Sequence, residues 1–293
     1  MSRRRSTTPT AIYDRVADAS AALVIQEYSS SFGLASRLLR EPIRSQVRTV
    51  YALVRVADEI VDDPDRSLSS TERAAMLQRL EEDVAVSLHT GSSANLVVHA
   101  FARTARTVGI GADLLDPFFA SMRMDLSAST HSPESFARYV HGSAEVVGLM
   151  CLRAFVAAPD ADGDPEATYE ELRPGAQRLG AAFQKVNFLR DLAEDHDALG
   201  RTYFPGIDPD RFDDADRDRL VADIDDDLTE AAAALARLPV SSRRAVAVAH
   251  ALFAELNDRL RRTPAREIRR TRVRVPTPVK LRLAARAATG GRG

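Results

Sequence analysis

The sequence predicts an all-α protein, a single helical bundle built around a central cavity. Apolar residues recur every three to four positions over long stretches, and the strict alternation of a half-buried strand is almost absent. The 293 residues, 45% of them hydrophobic, supply ample core for one large domain or two smaller ones. Breaks fall near Asp63-Pro64-Asp65, Gly91-Ser92-Ser93, Gly109-Ile110-Gly111, Pro159 to Pro165, Gly200 to Pro209 and Thr263-Pro264. None is long or biased enough to be an interdomain linker, and no repeat is visible. One domain over residues 15–285 is the economical reading, with a flexible basic leader at 1–14 and a flexible tail at 286–293.

Taken in order, the leader Met1-Ser-Arg-Arg-Arg5 is basic but opens onto no apolar signal core, and no run approaches the length of a membrane span. Tyr51 to Asp62 reads as an apolar helix carrying one polar stripe: Tyr51, Arg55, Asp58 and Asp62 are spaced by four, three and four. Ser69-Ser70-Thr71-Glu72 offers a capping box to the helix over Ala74 to Leu88, and Ser132-Pro133-Glu134 starts the helix containing Tyr139. Gln184 to Asp195 reads as a second striped helix, with Gln184, Asn187, Asp191 and Asp195 on one face. The acids between Asp208 and Asp227 alternate with Arg211, Arg217 and Arg219 and show no calcium-loop glycine, so they read as a solvated loop and exposed helix. From Arg261 to Arg292 the basic side chains meet one acid, Glu267. That cluster suits a diphosphate or anionic lipid; it lacks the aromatic interleaving and the motifs of nucleic-acid binders, so nucleic acid is not expected as a partner.

The two stripes carry the chemistry. An exposed helix face would surround its aspartates with Lys and Glu, whereas these lie among Val56, Ala57, Ile60 and Val61, and among Phe188, Leu189 and Leu192. Carboxylates directed into apolar surroundings are costly unless cations meet them, and two facing pairs call for a hard ion of the Mg²⁺ type together with an anionic ligand. The single cysteine, Cys151, excludes an internal disulfide and a cysteine metal cluster; it reads as a small core residue in a reducing, cytoplasmic setting. The six histidines show no metal-ligand spacing.

Asp58-Glu-Ile-Val-Asp62 and Asn187-Phe-Leu-Arg-Asp191-Leu-Ala-Glu-Asp195, followed by Gly200-Arg-Thr-Tyr-Phe-Pro205, resemble the two aspartate-rich signatures of the squalene and phytoene synthase family. Tyr28-Ser-Ser-Ser-Phe32, Met122-Arg-Met-Asp-Leu126, Tyr139 to Gly148, and Arg272-Val-Arg-Val-Pro276 with Lys280-Leu281 extend the resemblance in family order, and within the family it is greatest to bacterial phytoene synthases. The resemblance implies an isoprenoid-synthase fold and a prenyltransferase joining two geranylgeranyl diphosphates head to head, through a cyclopropylcarbinyl diphosphate, to phytoene, a step of carotenoid biosynthesis. It implies Mg²⁺, with Mn²⁺ as an alternative, held by Asp58, Asp62, Asn187, Asp191 and Asp195, and no requirement for NADPH. Arg55 and Arg190 would add fixed charge, Ser29, Ser31, Tyr51, Gln184 and Arg272 would meet substrate, and Phe32, Tyr139 and Phe188 would wall the cavity. Ser36, one turn beyond Phe32, would either limit how deep a prenyl chain reaches or simply allow close helix packing.

There are departures from the family pattern. Ala144-Glu145 stands where Ala-Gly is common, and the late helix around Ala251 to Leu256 has Leu252 and Phe253 in place of a tyrosine. The alternatives are a squalene or dehydrosqualene synthase using farnesyl diphosphate and, from a different class, a non-catalytic helical scaffold, against which the four retained aspartates argue. The expected setting is cytoplasmic, with peripheral attachment to the inner face of the membrane left open.

Overall fold

A computed structural model describes residues 9–62 and 68–288, apart from the side chains of Pro9, Ser30, Ser31, Phe32, Ala198, Leu199, Ala287 and Ala288. The calls on Ser31 and Phe32, and the break at Asp63-Pro64-Asp65, therefore lie outside the described residues. The described chain is helical: α1 (Pro9–Tyr28), α2 (Ser30–Ser36), α3 (Ile43–Asp62), α4 (Ser70–Thr90), α5 (Leu96–Val108), α6 (Ala112–Asp125), α7 (Pro133–Val140), α8 (Val146–Val156), α9 (Pro165–Arg190), α10 (Leu192–Glu194), α11 (Asp214–Leu235), α12 (Val240–Arg262), α13 (Ala265–Ile268) and α14 (Thr277–Ala288). Wider π-type turns occupy His141–Glu145 and Asp195–Leu199. α1 starts inside the expected leader, and 286–288 belong to α14 rather than to a tail.

Local chemistry sets these boundaries. At α4 the backbone of Glu72 donates to the Ser69 hydroxyl while the Glu72 carboxylate accepts from the Ser69 backbone at 2.8 Å, the reciprocal pair expected from the sequence. Ser132 accepts from the backbone of Ser135 ahead of Pro133, which needs no partner in the first turn of α7. Gly91 and Gly109 end α4 and α5 at φ 84° and 77°, a left-handed conformation open to glycine at little cost.

α9 is the central element, packed by α8, α11 and α12, while α1 lies along α3 and α5. Ion pairs fasten the outer helices. Asp14 and Asp18 of α1 reach His99 and Arg103 of α5, and Lys185 of α9 reaches Asp223 and Asp227 of α11 at 2.6 and 2.7 Å. Asp227, expected on a solvated face, is only 2% exposed and also accepts from Arg178. Three-to-four periodicity placed α11 as a helix, but charge alone did not show that its inner face turns acids toward α9. Among the described residues no helix is long and apolar enough to cross a membrane.

The inner wall of the bundle depends on two glycines. A Cβ on Gly148 would stand 2.7 Å from the Ala176 carbonyl oxygen, and one on Gly180 would stand 2.6 Å from that of Ala144. Because backbone meets backbone there, no side-chain rotation relieves the clash. We expect Gly180→Ala to cost about 1–3 kcal/mol, the usual range for overpacking. Urea titration checks it: a lower midpoint at unchanged slope is the expected result.

Candidate active site

A cavity of about 780 Å³ runs between α2, α3, α8, α9, α11 and α12. Most of its wall is aliphatic: Val47, Val50, Val147, Leu172, Leu235, Leu238 and Val246, with Cys151 among them. Polar groups gather where α3 and α9 end. There Tyr51, Arg55 and Asp58 from α3, Gln184, Asn187 and Arg190 from α9, Arg272 and Arg274 from the segment leading into α14, and Lys280 of α14 itself all face the cavity.

Each stripe is placed by its own helix. Tyr51 hydrogen-bonds with Ser29, and Arg55 lies under the Tyr28 ring at 4.5 Å while pairing with Glu59. The Arg55 Nε is buried without a hydrogen-bond partner, which leaves a donor for an anion. Asp58 is enclosed, and burial together with the charge of Asp62 pushes its carboxyl up to about 8.

The second stripe is not one continuous helix. α9 stops at Arg190 and Asp191 takes up a distorted C-cap, yet Asp191 still donates to the Asn187 carbonyl and Asp195 to that of Asp191, both at 2.8 Å, so the three side chains stay in sequence. Asp191 is gripped by Arg190 at 2.8 Å and by Arg272 at 2.8 Å, and Arg272 also reaches Glu194 at 3.3 Å. Asp195 is pushed up to about 8 by burial and by the charges of Asp191 and Asp62, so the stripes of α3 and α9 meet electrostatically.

Arg201, given no role from the sequence, holds that meeting point. It is 7% exposed; one nitrogen donates to Asp62 at 2.7 Å and to the Tyr203 hydroxyl at 3.3 Å, and the other donates to the carbonyls of Val61 and Asp125 at 3.1 and 3.0 Å. Arg73 donates to the same Val61 carbonyl at 2.6 Å, capping the end of α3. Asp125 lies behind, pushed up to about 7 by burial despite Arg201 and the Tyr139 hydroxyl, which donates to both of its oxygens at 2.9 Å.

Tyr139 and Phe188 depart from the expected cavity wall. They stack instead with Tyr203, Tyr139 at 5.3 Å and Phe188 at 3.9 Å, in an aromatic cluster behind the carboxylates. Tyr139 reaches the acids only through Asp125, because α7 turns its inner face away from the cavity. Stacked Phe183 and Phe253, 3.8 Å apart, supply cavity aromatics in their place. Glu145 faces away too, bonded to His141 at 2.8 Å and Gln177 at 3.3 Å. Ser36 does line the cavity, its hydroxyl donating to the Gly33 carbonyl at 3.1 Å. Arg274 and Lys280 were quoted in the sequence motif without a role; burial and the charges of Arg190 and Arg274 lower the Lys280 pKa, the mark of cations crowded around an anion site.

The donors fit a hard divalent cation. Asp58, Asp62, Asp191 and Asp195 offer carboxylate oxygens and Asn187 an amide oxygen, and Asp58 and Asp195 have no ion-pair partner among the described residues. In this arrangement no three acids or histidines among the described residues converge tightly enough to enclose an ion, since Asp62 is turned to Arg201 and Asp191 to Arg190 and Arg272.

The chain is similar to known proteins in sequence and in fold. The rice (Oryza sativa subsp. japonica) protein "Phytoene synthase 2, chloroplastic" is 30% identical over 183 residues, 62% of this chain and 44% of its own length. The carrot (Daucus carota) "Phytoene synthase, chloroplastic" is 30% identical over 194 residues, 66% of this chain and 45% of its own. The matched stretch thus spans under half of either relative. A crystal structure of a dehydrosqualene synthase in complex with ligand superposes with a TM-score of 0.78 at 20% identity, covering 96% of this chain and 98% of that one, a likeness of fold. Residues 25–278 match the squalene/phytoene synthase family, which takes in both stripes, Arg201 and the mouth as far as Arg274, and the chain belongs to that family.

Proposed function

We propose that the chain is a phytoene synthase, a prenyltransferase that joins two geranylgeranyl diphosphates head to head and releases diphosphate. The observation that carries this is the polarity of the cavity: Asp58, Arg55, Arg190, Arg272, Arg274 and Lys280 line one end, and most of the remaining wall is apolar. Along α9 the lining runs from Arg190 to Leu172, a reach of about 27 Å at the helical rise of 1.5 Å per residue. At about 1.2 Å per bond for an extended chain, the sixteen-carbon backbone of a geranylgeranyl group needs about 18 Å and a farnesyl group about 13 Å. The depth accommodates the longer substrate, and the relatives named as phytoene synthases favour it.

Ionisation of the allylic carbon–oxygen bond is favoured by donors aimed where charge develops on the departing diphosphate. Arg55, Arg190, Arg272, Arg274 and Lys280 are so placed. Arg190 and Arg272 now hold Asp191; on binding, the diphosphate would take the arginines and free that carboxylate for a cation. Mg²⁺, or Mn²⁺ in its place, bound by Asp58, Asp62, Asn187, Asp191 and Asp195, would add Lewis-acid stabilisation of the leaving group. The aliphatic walls exclude water that would capture an allylic cation, and the Phe183–Phe253 pair offers ring faces to it. Two successive ionisations, through the cyclopropylcarbinyl diphosphate, then end in proton loss, so NADPH is not called for.

Product analysis is the direct test: with Mg²⁺ and geranylgeranyl diphosphate the protein should release diphosphate and a forty-carbon hydrocarbon. A thirty-carbon product from farnesyl diphosphate alone would instead make it a squalene or dehydrosqualene synthase, and no diphosphate release from either would favour a scaffold. Asp58→Asn and Asp191→Asn should each lower turnover on the order of 10²-fold or more while the circular dichroism stays native; near-normal product formation would remove these residues from the site.

A pH dependence follows from Asp58 and Asp195. Their folded-state values near 8 lie above the ordinary 3.8, so the folded protein binds more protons than the unfolded one. Without divalent ions, their contribution to stability should fall as pH rises from about 4 to about 8. Mg²⁺ replaces those protons, so the Tm increase it brings should be larger at pH 8.5 than at pH 6; an equal increase at both would count against these ligands.

Chain length is tested at Ser36. Ser36 is part of the cavity lining, so a phenylalanine there would take up cavity space. We expect Ser36→Phe to lower the ratio of forty- to thirty-carbon products in mixed-substrate competition on the order of tenfold. An unchanged ratio in an active variant would mean that Ser36 only permits close packing.

A further inference from the structure

A polar pair interrupts the apolar wall of the cavity inward of Asn187. Ser143 and Gln184 both line the cavity, and the Gln184 side-chain nitrogen donates to the Ser143 hydroxyl at 3.4 Å. Gln184 precedes Asn187 by about one turn of α9, about 4.5 Å of helical rise, on the side toward Leu172. Its amide oxygen accepts no hydrogen bond among the described residues. Nothing in the sequence pointed to Ser143.

The backbone around Ser143 is fixed from two sides. Ser143 is the middle residue of the π-type turn His141–Glu145, which joins α7 to α8. A Cβ on Gly142 would stand 2.2 Å from the Pro117 carbonyl oxygen, so the turn is pressed against α6. His141 Nδ1 and the Glu145 carboxylate lie 2.8 Å apart across the turn, and Gln177 of α9 donates to the same Glu145 oxygen at 3.3 Å. The outward-facing Glu145 therefore fastens the turn to the helix that carries Gln184, and the hydroxyl and the amide share one frame.

We propose that Ser143 is a positioning residue: it holds the Gln184 amide by its nitrogen so that the carbonyl oxygen is left for the cavity, where it stabilises positive charge on a bound prenyl chain. This role rests on the reading of the cavity as a prenyl diphosphate site. A fixed dipole with its negative end toward a developing cation is most effective where little water competes and nothing has to reorient. Phe183, next to Gln184 on α9, and its stacked partner Phe253 line the same stretch, so the amide oxygen and the ring faces would act on one charge. The amide is neutral, so unlike a carboxylate it would not draw the arginines or a metal away from the diphosphate end. Without the Ser143 hydroxyl the amide can turn over and present its NH₂ group, the positive end of the dipole, to the cation.

The test uses a stable cation in place of the reacting one. Geranyl trimethylammonium and the neutral geranyl methyl ether are each titrated into the full-length protein by calorimetry, with inorganic diphosphate and Mg²⁺ present. Ser143→Ala should weaken ammonium binding roughly tenfold and leave ether binding unchanged, while Ser143→Thr, which keeps a hydroxyl, restores it. Gln184→Leu should lose the same ammonium affinity, and the double variant Ser143→Ala/Gln184→Leu should be no weaker than Gln184→Leu alone, because one residue acts through the other. With substrate, Ser143→Ala should lower kcat on the order of tenfold at nearly unchanged KM. Wild-type ammonium binding by Ser143→Ala, an equal loss for the ether, or additive losses in the double variant would overturn the proposal. If Ser143→Ala loses ammonium binding but the wild type turns over no prenyl diphosphate, the cation site stands and the reading of the function fails; if the wild type turns over substrate and Ser143→Ala binds the ammonium ion normally, the reverse holds.

Discussion

Negative charge brought together at the ends of two helices is the constraint around which the molecule is arranged. α3 and α9 both present their C-terminal ends to the mouth of the cavity, where helix dipoles already place partial negative charge. Asp62 and Asp191 add to it in a partly dry setting, where burial holds Asp58 and Asp195 protonated up to a pH of about 8. Such an assembly persists only with cations to hold it, and the protein supplies its own: Arg201 and Arg73 at the end of α3, Arg190 and Arg272 at the end of α9. Arg201 is the common member, tying the last turn of α3, the end of α6 and the Tyr203 ring together.

Charge and hydrophobicity are kept apart along the length of the cavity. Helices with polar stripes at their ends and aliphatic faces over the rest of their length produce that separation without any separate element. The arginines that neutralise the carboxylates are also the groups best placed to receive an anion. On the proposed function, carboxylate and arginine would exchange partners with a metal–diphosphate pair.

The helical class, the capping box of α4, the start of α7 and the two aspartate stripes were legible in the sequence because each rests on spacing within a few residues. What was not legible depends on contacts across the chain. Arg201 follows the second stripe closely, yet its partners Asp62 and Asp125 come from α3 and α6, and nothing in local spacing announces them. Tyr139 was expected in the cavity wall, but the roll of α7 turns its hydroxyl to Asp125. Asp227 looked solvated because an acid on a charged helix usually is; Lys185 and Arg178, which bury it, lie on another helix. The basic C-terminal segment was visible as a cluster, but the pairing of Arg261 with Asp225 and Asp258, of Arg269 with Asp210 and of Arg272 with Asp191 required the positions of those acids.

The interlocked glycines of α8 and α9 make the two long walls of the cavity unequal. Where Gly148 and Gly180 set backbone against backbone, that wall cannot accept a larger side chain without displacing a helix axis. The facing wall, built from Ala35, Ser36, Ala249 and Leu252, is joined through side chains and can be recontoured one residue at a time. Diversification of cavity shape within this architecture is thus channelled to the α2–α12 side, while the α8–α9 side serves as a fixed reference edge against which any bound chain is measured.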